Sequence, residues 1–366
     1  AIVRGRITAA LGDAKPWVLI GGPPCQAYSV VGRSRNKGKL GYKPEKDHRQ
    51  FLYVEYLQII ADHWPAVFVM ENVKGLLSAA VDEQLIFNRI LEDLESPKTS
   101  LKREHQRSGS NGRRHNYRVF SVIQHSLFDD VQVRDYIVQA EKYGIPQARH
   151  RLILVGVRDD LGDTIPQLLR SQAPVPARDV LDGLPRLRSG LSREEDGKQN
   201  WQKVLRRTLF NDRLLPEEDN VSREVSGRIV ECVKRLTLPR HDRGGEFIKC
   251  DAKIRYNPKW YLDSRIGGAC NHVSRAHMTS DLYRYLFAAC FAEVMNRSPE
   301  LVDFPMELLP DHENIKTALD GEMFADRFRV QLAGRPSTTI TSHIAKDGHY
   351  YIHYDPTQCR SLTVRE

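Results

Sequence analysis

What this 366-residue sequence lacks narrows its class first. No run reaches the roughly eighteen apolar residues of a bilayer-spanning helix, and no signal peptide opens the chain. The six cysteines, at 25, 232, 250, 270, 290 and 359, form no CxxC pair and no dense framework, which argues against a disulfide-stapled scaffold. Cys232, His241, Cys250, Cys270, His272, His277 and Cys290 likewise lack the close pairing of a zinc module. They read as scattered core and surface residues, as do His343, His349 and His353. Internal repeats are absent too. The compartment expected from these missing signals is the cytoplasm, of a bacterium, with reduced thiols.

What is present suits a folded, basic protein. Apolar residues make up 40% of the 42.0 kDa chain, enough for packed cores and two domains. A net charge of +8 and a pI of about 9.1 fit a nucleic-acid partner, although basic charge alone is a weak cue.

Two short apolar runs end in reactive side chains. Trp17-Val18-Leu19-Ile20 passes through Gly21-Gly22-Pro23-Pro24 into Cys25, and Val67-Phe68-Val69-Met70 runs into Glu71-Asn72-Val73. Both have the length and the β-branched or aromatic content of buried strands. Phe51, Leu52, Val54, Leu57 and Ile60 recur between them at helical spacing. The unit reads as strand, crossover helix, parallel strand, which sends Cys25 and Glu71 to the same edge of a sheet. Downstream, Gln147-Ala148-Arg149-His150-Arg151 leads into Leu152-Ile153-Leu154-Val155-Gly156-Val157. If that run is antiparallel to the first two, its start lies where theirs end, and cysteine, glutamate and arginine converge.

Taken in order, Gly21-Gly22-Pro23-Pro24-Cys25-Gln26, Glu71-Asn72-Val73 and Gln147-Ala148-Arg149-His150-Arg151 resemble three motifs of the DNA cytosine-5 methyltransferases. Arg360-Ser361-Leu362-Thr363-Val364-Arg365-Glu366 is similar to the start of the family's late structural motif. The resemblance is clear over residues 17–157 and again from about 335 to 366. It implies an α/β fold: a partial Rossmann-like, S-adenosylmethionine-dependent methyltransferase domain with a smaller target-recognition domain. The boundaries expected are 1–160 for the catalytic domain, 161–334 for target recognition, and 335–366 for hinge strands returning to the catalytic domain.

The same resemblance assigns roles. Cys25 is the nucleophile that adds to carbon 6 of cytosine, Glu71 holds or donates a proton at ring nitrogen 3, and Arg151 binds the ring O2 with Arg149 as its structural partner. Asn72 is read as fixing the turn after its strand. Pro24 and Leu52 are the positions carried over for S-adenosylmethionine, and both could equally be packing residues. Double-stranded DNA is the partner, with the target base extruded from the helix. The loop after Cys25 fits that role, since Arg33, Arg35, Lys37, Lys39, Lys43, Lys46 and Arg49 alternate there with Gly32, Gly38 and Gly41.

Two family features are missing from this sequence: the glycine-rich cofactor turn expected upstream of Cys25 and the last motif expected after Glu366. Gly244-Gly245 and Gly267-Gly268 are read as irregular polar stretches and do not substitute. The chain also begins at Ala1 rather than methionine. The expectation is a fragment, or a numbering that omits both ends. The alternatives are a split enzyme or non-catalytic DNA-binding subunit needing a second polypeptide for the cofactor turn, and a tRNA cytosine-5 methyltransferase of the same fold.

The remaining stretches give coarser expectations. Residues 98–118, rich in Lys and Arg, read as a mobile loop that either is solvated or touches the DNA backbone. Prolines at 166, 174, 176 and 185 mark the passage out of the first domain, and helices are predicted near 222–236 and 280–296. Ser337–Thr341 and Tyr350–Tyr354 read as paired strands joined by a turn at Lys346-Asp347-Gly348.

Overall fold

The computed structural model describes residues 2–23, 52–73, 83–105, 114–124, 132–210, 219–251, 253–261, 265–311 and 325–366. Cys25, Pro24 and the basic loop of Arg33, Arg35, Lys37 and Lys39 lie outside the described residues. The chain divides into two compact units: Ala1–Tyr143 with Arg149–Gln172, and Gly144–Ala148 with Ala173–Glu366.

The first unit is an α/β layer. Its elements are α1 (Ile2–Leu11), β1 (Val18–Gly21), α2 (Leu52–His63), β2 (Val67–Val73), α3 (Glu83–Glu95), α4 (Pro97–His105), β3 (Tyr117–Phe120), β4 (Ile137–Gln139) and β5 (His150–Arg158). The sheet order is β1-β2-β5-β3, with β4 also pairing to β5. β1 and β2 are parallel, with Val18 beside Val67 and Gly21 beside Met70. β5 is antiparallel to β2, with Glu71 beside Ile153 and Val73 beside Arg151. The start of β5 therefore meets the end of β2, as the motif order requires.

Helix α2 follows the predicted spacing because Val54, Leu57, Ile60 and Ala61 form one apolar stripe, and that stripe is buried against Phe68, Met70, Leu152 and Leu154. The opposite face of the sheet is more open. Val18 is 54% and Ile20 76% exposed on β1, which pairs only with β2 among the described residues.

The expected loop over 98–118 is instead partly ordered structure. Pro97 starts α4, where a missing N–H costs nothing, and Leu101 turns inward to the core. Tyr117 opens β3, and its buried hydroxyl donates to Pro65 O at 2.8 Å. Basic composition hid these elements, since the inward residues are too few to show a period. Residues 106–113 lie outside the described set.

The second unit is built on helices. Its elements are α5 (Lys198–Arg206), α6 (Asn220–Lys234), β6 (Gly244–Lys249), β7 (Gly268–Val273) and α7 (Thr279–Met295), with shorter ladders between. The predicted helices near 222–236 and 280–296 correspond to α6 and α7. Leu282, Tyr285, Leu286, Ala288 and Cys290 of α7 pack with Trp201, Val225, Ile229 and Val233 in one core. Cys290 Sγ donates to Cys232 Sγ there at 3.9 Å, and both are free thiols.

Two expectations for this unit need correction. The glycine pairs read as irregular begin β6 and β7, which form an antiparallel ladder. The reason is close backbone approach. A Cβ at Gly244 would sit 2.0 Å from His272 O and one at Gly268 2.3 Å from Ile248 O, so glycine is what lets these strands meet. The predicted pairing of Ser337–Thr341 with Tyr350–Tyr354 is also wrong. Ser337–Thr338 pairs in parallel with Gln147–Ala148, and Ile352–His353 with Val330–Gln331. The backbone groups of each segment are satisfied elsewhere: Ser337 N donates to Pro146 O, and Ile352 N to Arg329 O. Gly348 does make its turn, at φ 75°.

No helix among the described residues is long and apolar enough to cross a membrane.

Candidate active site

Glu71 lies within β2, one residue from its buried neighbour Asn72, rather than just beyond the strand. The period of two directs Glu71 and Asn72 to opposite faces. Asn72, 4% exposed, uses its side chain as a clasp: Nδ2 donates to Pro23 O at 3.1 Å, and Oδ1 accepts from Val73 N at 2.9 Å. Asn72 thus ties the chain two residues before Cys25 to the end of β2. The residues that follow β2, where the sequence places the turn fixed by Asn72, lie outside the described residues.

Glu71 projects from the other face, next to the same turn. A Cβ on Gly22 would come within 3.0 Å of Glu71 Oε2, so the backbone passes close over the carboxylate. Gly21 has its own constraint, since a Cβ there would be 2.6 Å from Tyr56 Cε2, and the Tyr56 hydroxyl donates to Val69 O at 3.0 Å. Burial pushes the Tyr56 phenol well above its ordinary pKa, so it acts as a neutral prop beneath the turn.

Both arginines reach this point. In the β2–β5 register Arg151 is the diagonal neighbour of Glu71 on the same face, and its Nε lies 2.8 Å from Glu71 Oε1. That Nε–H finds no well-aligned hydrogen-bond acceptor among the described residues, which makes the contact an ion pair. Arg151 Nη1 donates to His150 O at 2.7 Å, fixing the guanidinium. Arg149 is more distant, with Nη2 4.0 Å from the same oxygen. Burial, and then the charge of Arg149, lower the Arg151 pKa below its ordinary value, while Glu71 opposes both. His150 points elsewhere and pairs with Glu141 at 2.7 Å.

Of the expected site residues, the structure therefore gathers Glu71, Arg149 and Arg151 around the turn that leads to Cys25. Leu52 is the first residue of α2. Sequence reasoning missed Tyr56 and the contact of Gly22 with Glu71; only the helical spacing of Tyr56 with the buried stripe hinted at the former. Elsewhere in this unit, His115, Asp159 and Asp160 stand close enough to share an ion, but hydrogen bonds already engage them: His115 Nδ1 with Asp159, Asn116 N to Asp159, and Arg158 Nε to Asp160.

An α/β sheet whose strand ends hold an acid, two arginines and an incoming glycine turn has the form of an enzyme site at a sheet edge. The family follows from the chain as a whole. Residues 7–98 and 113–366 match the model of the C-5 cytosine-specific DNA methylases, and the chain belongs to that family. It is 29% identical over 353 residues to the type II methyltransferase M.Bpa9945I of Bacillus paralicheniformis, covering 95% of this chain and 60% of that protein. Similarity to the DNA (cytosine-5-)-methyltransferase M.ApeKI of Aeropyrum pernix is 34% over 147 residues, covering 39% of this chain and 27% of that one. With the type II methyltransferase M.AgeI of Thalassovita gelatinovora it is 24% over 371 residues, covering 95% and 73%. The chain thus spans about three fifths of the length of M.Bpa9945I.

Proposed function

We propose that this chain is the catalytic and target-recognising part of a DNA cytosine-5 methyltransferase, acting in the cytoplasm on a cytosine extruded from duplex DNA. The observation that carries the reading is the Glu71–Arg151 ion pair beside the clasped turn that leads into Cys25.

Carbon 5 of cytosine is a weak nucleophile until something adds at carbon 6. In the proposed reaction the Cys25 thiolate forms a bond to carbon 6, and the ring's electron pair moves to carbon 5 as an enamine. Glu71 holds or gives a proton at nitrogen 3, so no anion builds up on the ring. Arg151 donates to O2 with Arg149 behind it, and its ion pair with Glu71 holds the guanidinium beside the carboxylate that serves nitrogen 3. S-adenosylmethionine supplies an electrophilic methyl group when bound. Loss of the proton from carbon 5 then expels the thiolate and restores the ring.

The described residues do not by themselves seat that donor. The glycine pair after β1 is already packed on Tyr56 and Glu71. We place Pro24 and Leu52 beside it, with the rest of the seat supplied by polypeptide outside this chain, either a further segment or a second chain. Exposed Val18 and Ile20 on the one-sided strand β1 support this, since apolar strand positions left open invite a covering partner. Arg33, Arg35, Lys37 and Lys39 are proposed phosphate contacts, offsetting the few kcal/mol of base extrusion. Target recognition is assigned to the second unit.

The test is transfer of labelled methyl from S-adenosylmethionine to mixed-sequence duplex DNA, for the chain and its Cys25→Ser variant, alone and within a longer polypeptide. Transfer that vanishes with Cys25→Ser supports the reading; transfer that survives it, or that goes to tRNA in preference to duplex DNA, overturns it.

A further inference from the structure

The second unit contains a half-open pocket of about 350 Å³, at the small end of the range of ligand sites. Its floor is Val180, Leu181 and Leu362, and its wall is Tyr256, Trp260 and Tyr261. Tyr256 and Tyr261 are partly buried and meet edge to face, with ring centroids 6.3 Å apart, whereas Trp260 is 76% exposed. The wall is held in place from beneath. Tyr256 N donates to Asp179 O at 3.3 Å, and Gly183 lies so close that a Cβ would stand 2.4 Å from Lys253 O. Gln147 and Asn257 add amide groups to the lining.

The segment that carries the aromatic wall is predominantly basic. Between Lys249 and Tyr261 the described residues carry Lys249, Lys253, Arg255 and Lys259 against the single acid Asp251, and all five are exposed or half-exposed. The acids nearest the lining are engaged: Asp179 faces Arg255 at 3.9 Å, and Glu366 is locked to Arg360 at 2.6 Å. An exposed aromatic face, amides in the lining and exposed cations on the segment that carries the wall together match an unstacked nucleobase with its flanking phosphates, because every base has a π-face and every linkage a negative charge.

We propose that this pocket binds one unstacked base of the DNA substrate, with Trp260 as the stacking platform and Lys253 and Lys259 on the adjoining phosphates. It rests on the DNA reading above and adds a second base-holding site, distinct from the cluster around Glu71.

The experiment measures binding of a fluorescent mixed-sequence single-stranded oligonucleotide, and of the same strand in a duplex, by anisotropy. The proteins compared are the unmodified chain, Trp260→Ala, Trp260→Phe and a Lys253→Gln/Lys259→Gln double variant. Trp260→Ala is expected to weaken single-strand binding by about ten- to a hundredfold, with Trp260→Phe recovering most of it. The double variant should weaken binding and flatten its salt dependence. An unmodified chain that binds neither form overturns the DNA reading itself. If the chain binds and Trp260→Ala binds equally well, only the pocket assignment falls. Circular dichroism of each variant shows whether it is folded, and the exposure of Trp260 makes misfolding an inadequate explanation for a selective loss.

Discussion

Arg151 Nε stands 2.8 Å from Glu71 Oε1, while Arg149, two residues earlier on the same face, remains at 4.0 Å. The two arginines are therefore unequal partners of one carboxylate. Arg151→Ala removes the close charge and the donor proposed for the base, and should lower methyl transfer by roughly a hundredfold or more. Arg149→Ala should cost about tenfold or less, since a half-exposed charge at 4 Å is well screened. Steady-state kinetics on the two variants check the ranking, and equal losses would refute it.

Gly22 offers a test that changes no charged group. A Cβ there would stand 3.0 Å from Glu71 Oε2, so Gly22→Ala must move the carboxylate by a few tenths of an ångström. The expected outcome is a drop in kcat of about tenfold with little change in thermal stability, because misplacement of a reacting group costs rate before it costs folding. Paired kinetic and melting measurements distinguish this from general damage.

The resemblance at the end of the sequence corresponds to a buried ion pair in the second unit. Arg360 and Glu366 are each 1% exposed in their side chains and meet through two contacts, at 2.6 and 2.7 Å, while Thr363 N also donates to Glu366. Glu366→Gln leaves a buried guanidinium short of its counter-charge and should destabilise the unit by about 3 kcal/mol or more. Denaturant unfolding of the variant measures this directly.

Buried histidines should make the second unit sensitive to acid. Burial, assisted by Arg360, lowers the His353 pKa to about 4, and burial with nearby His349 lowers His277 to about 3, against 6.5 for an unperturbed imidazole. The unfolded chain then binds protons below about pH 6.5 that the folded chain refuses until about pH 4. Stability is complete above the unfolded value and falls as the pH drops through that window, with each histidine contributing a slope of up to about 1.4 kcal/mol per pH unit. Thermal melts at about pH 7.5 and about pH 5 should show a marked drop in midpoint. His353→Gln should reduce the drop, and an unchanged midpoint would contradict the assignment.

The parts of the site that were legible in the sequence are those carried by short local patterns. Continuous apolar runs at Val67–Met70 and Leu152–Val157, read as strands with antiparallel pairing, were enough to bring Glu71 toward Arg151. The Asn72 clasp was not legible, because a side chain reaching a carbonyl 49 residues away leaves no local pattern. The glycine ladder at Gly244 and Gly268 was misread for a related reason: polar, glycine-rich strands look like loops until backbone approach is seen. Ser337–Thr341 and Tyr350–Tyr354 had the composition of a hairpin, yet composition does not choose a partner, and each found another strand.

The most direct test of the central claim is release of tritium from carbon 5 of labelled cytosine in duplex DNA, with no methyl donor present. Addition of the Cys25 thiolate at carbon 6 lets carbon 5 take a proton from water, and expulsion of the thiolate then returns tritium to solvent. The unmodified protein should release tritium, Cys25→Ser none above background, and Glu71→Gln much less than the unmodified protein. Release that persists in Cys25→Ser, or methyl transfer without any exchange in the unmodified protein, would contradict that claim.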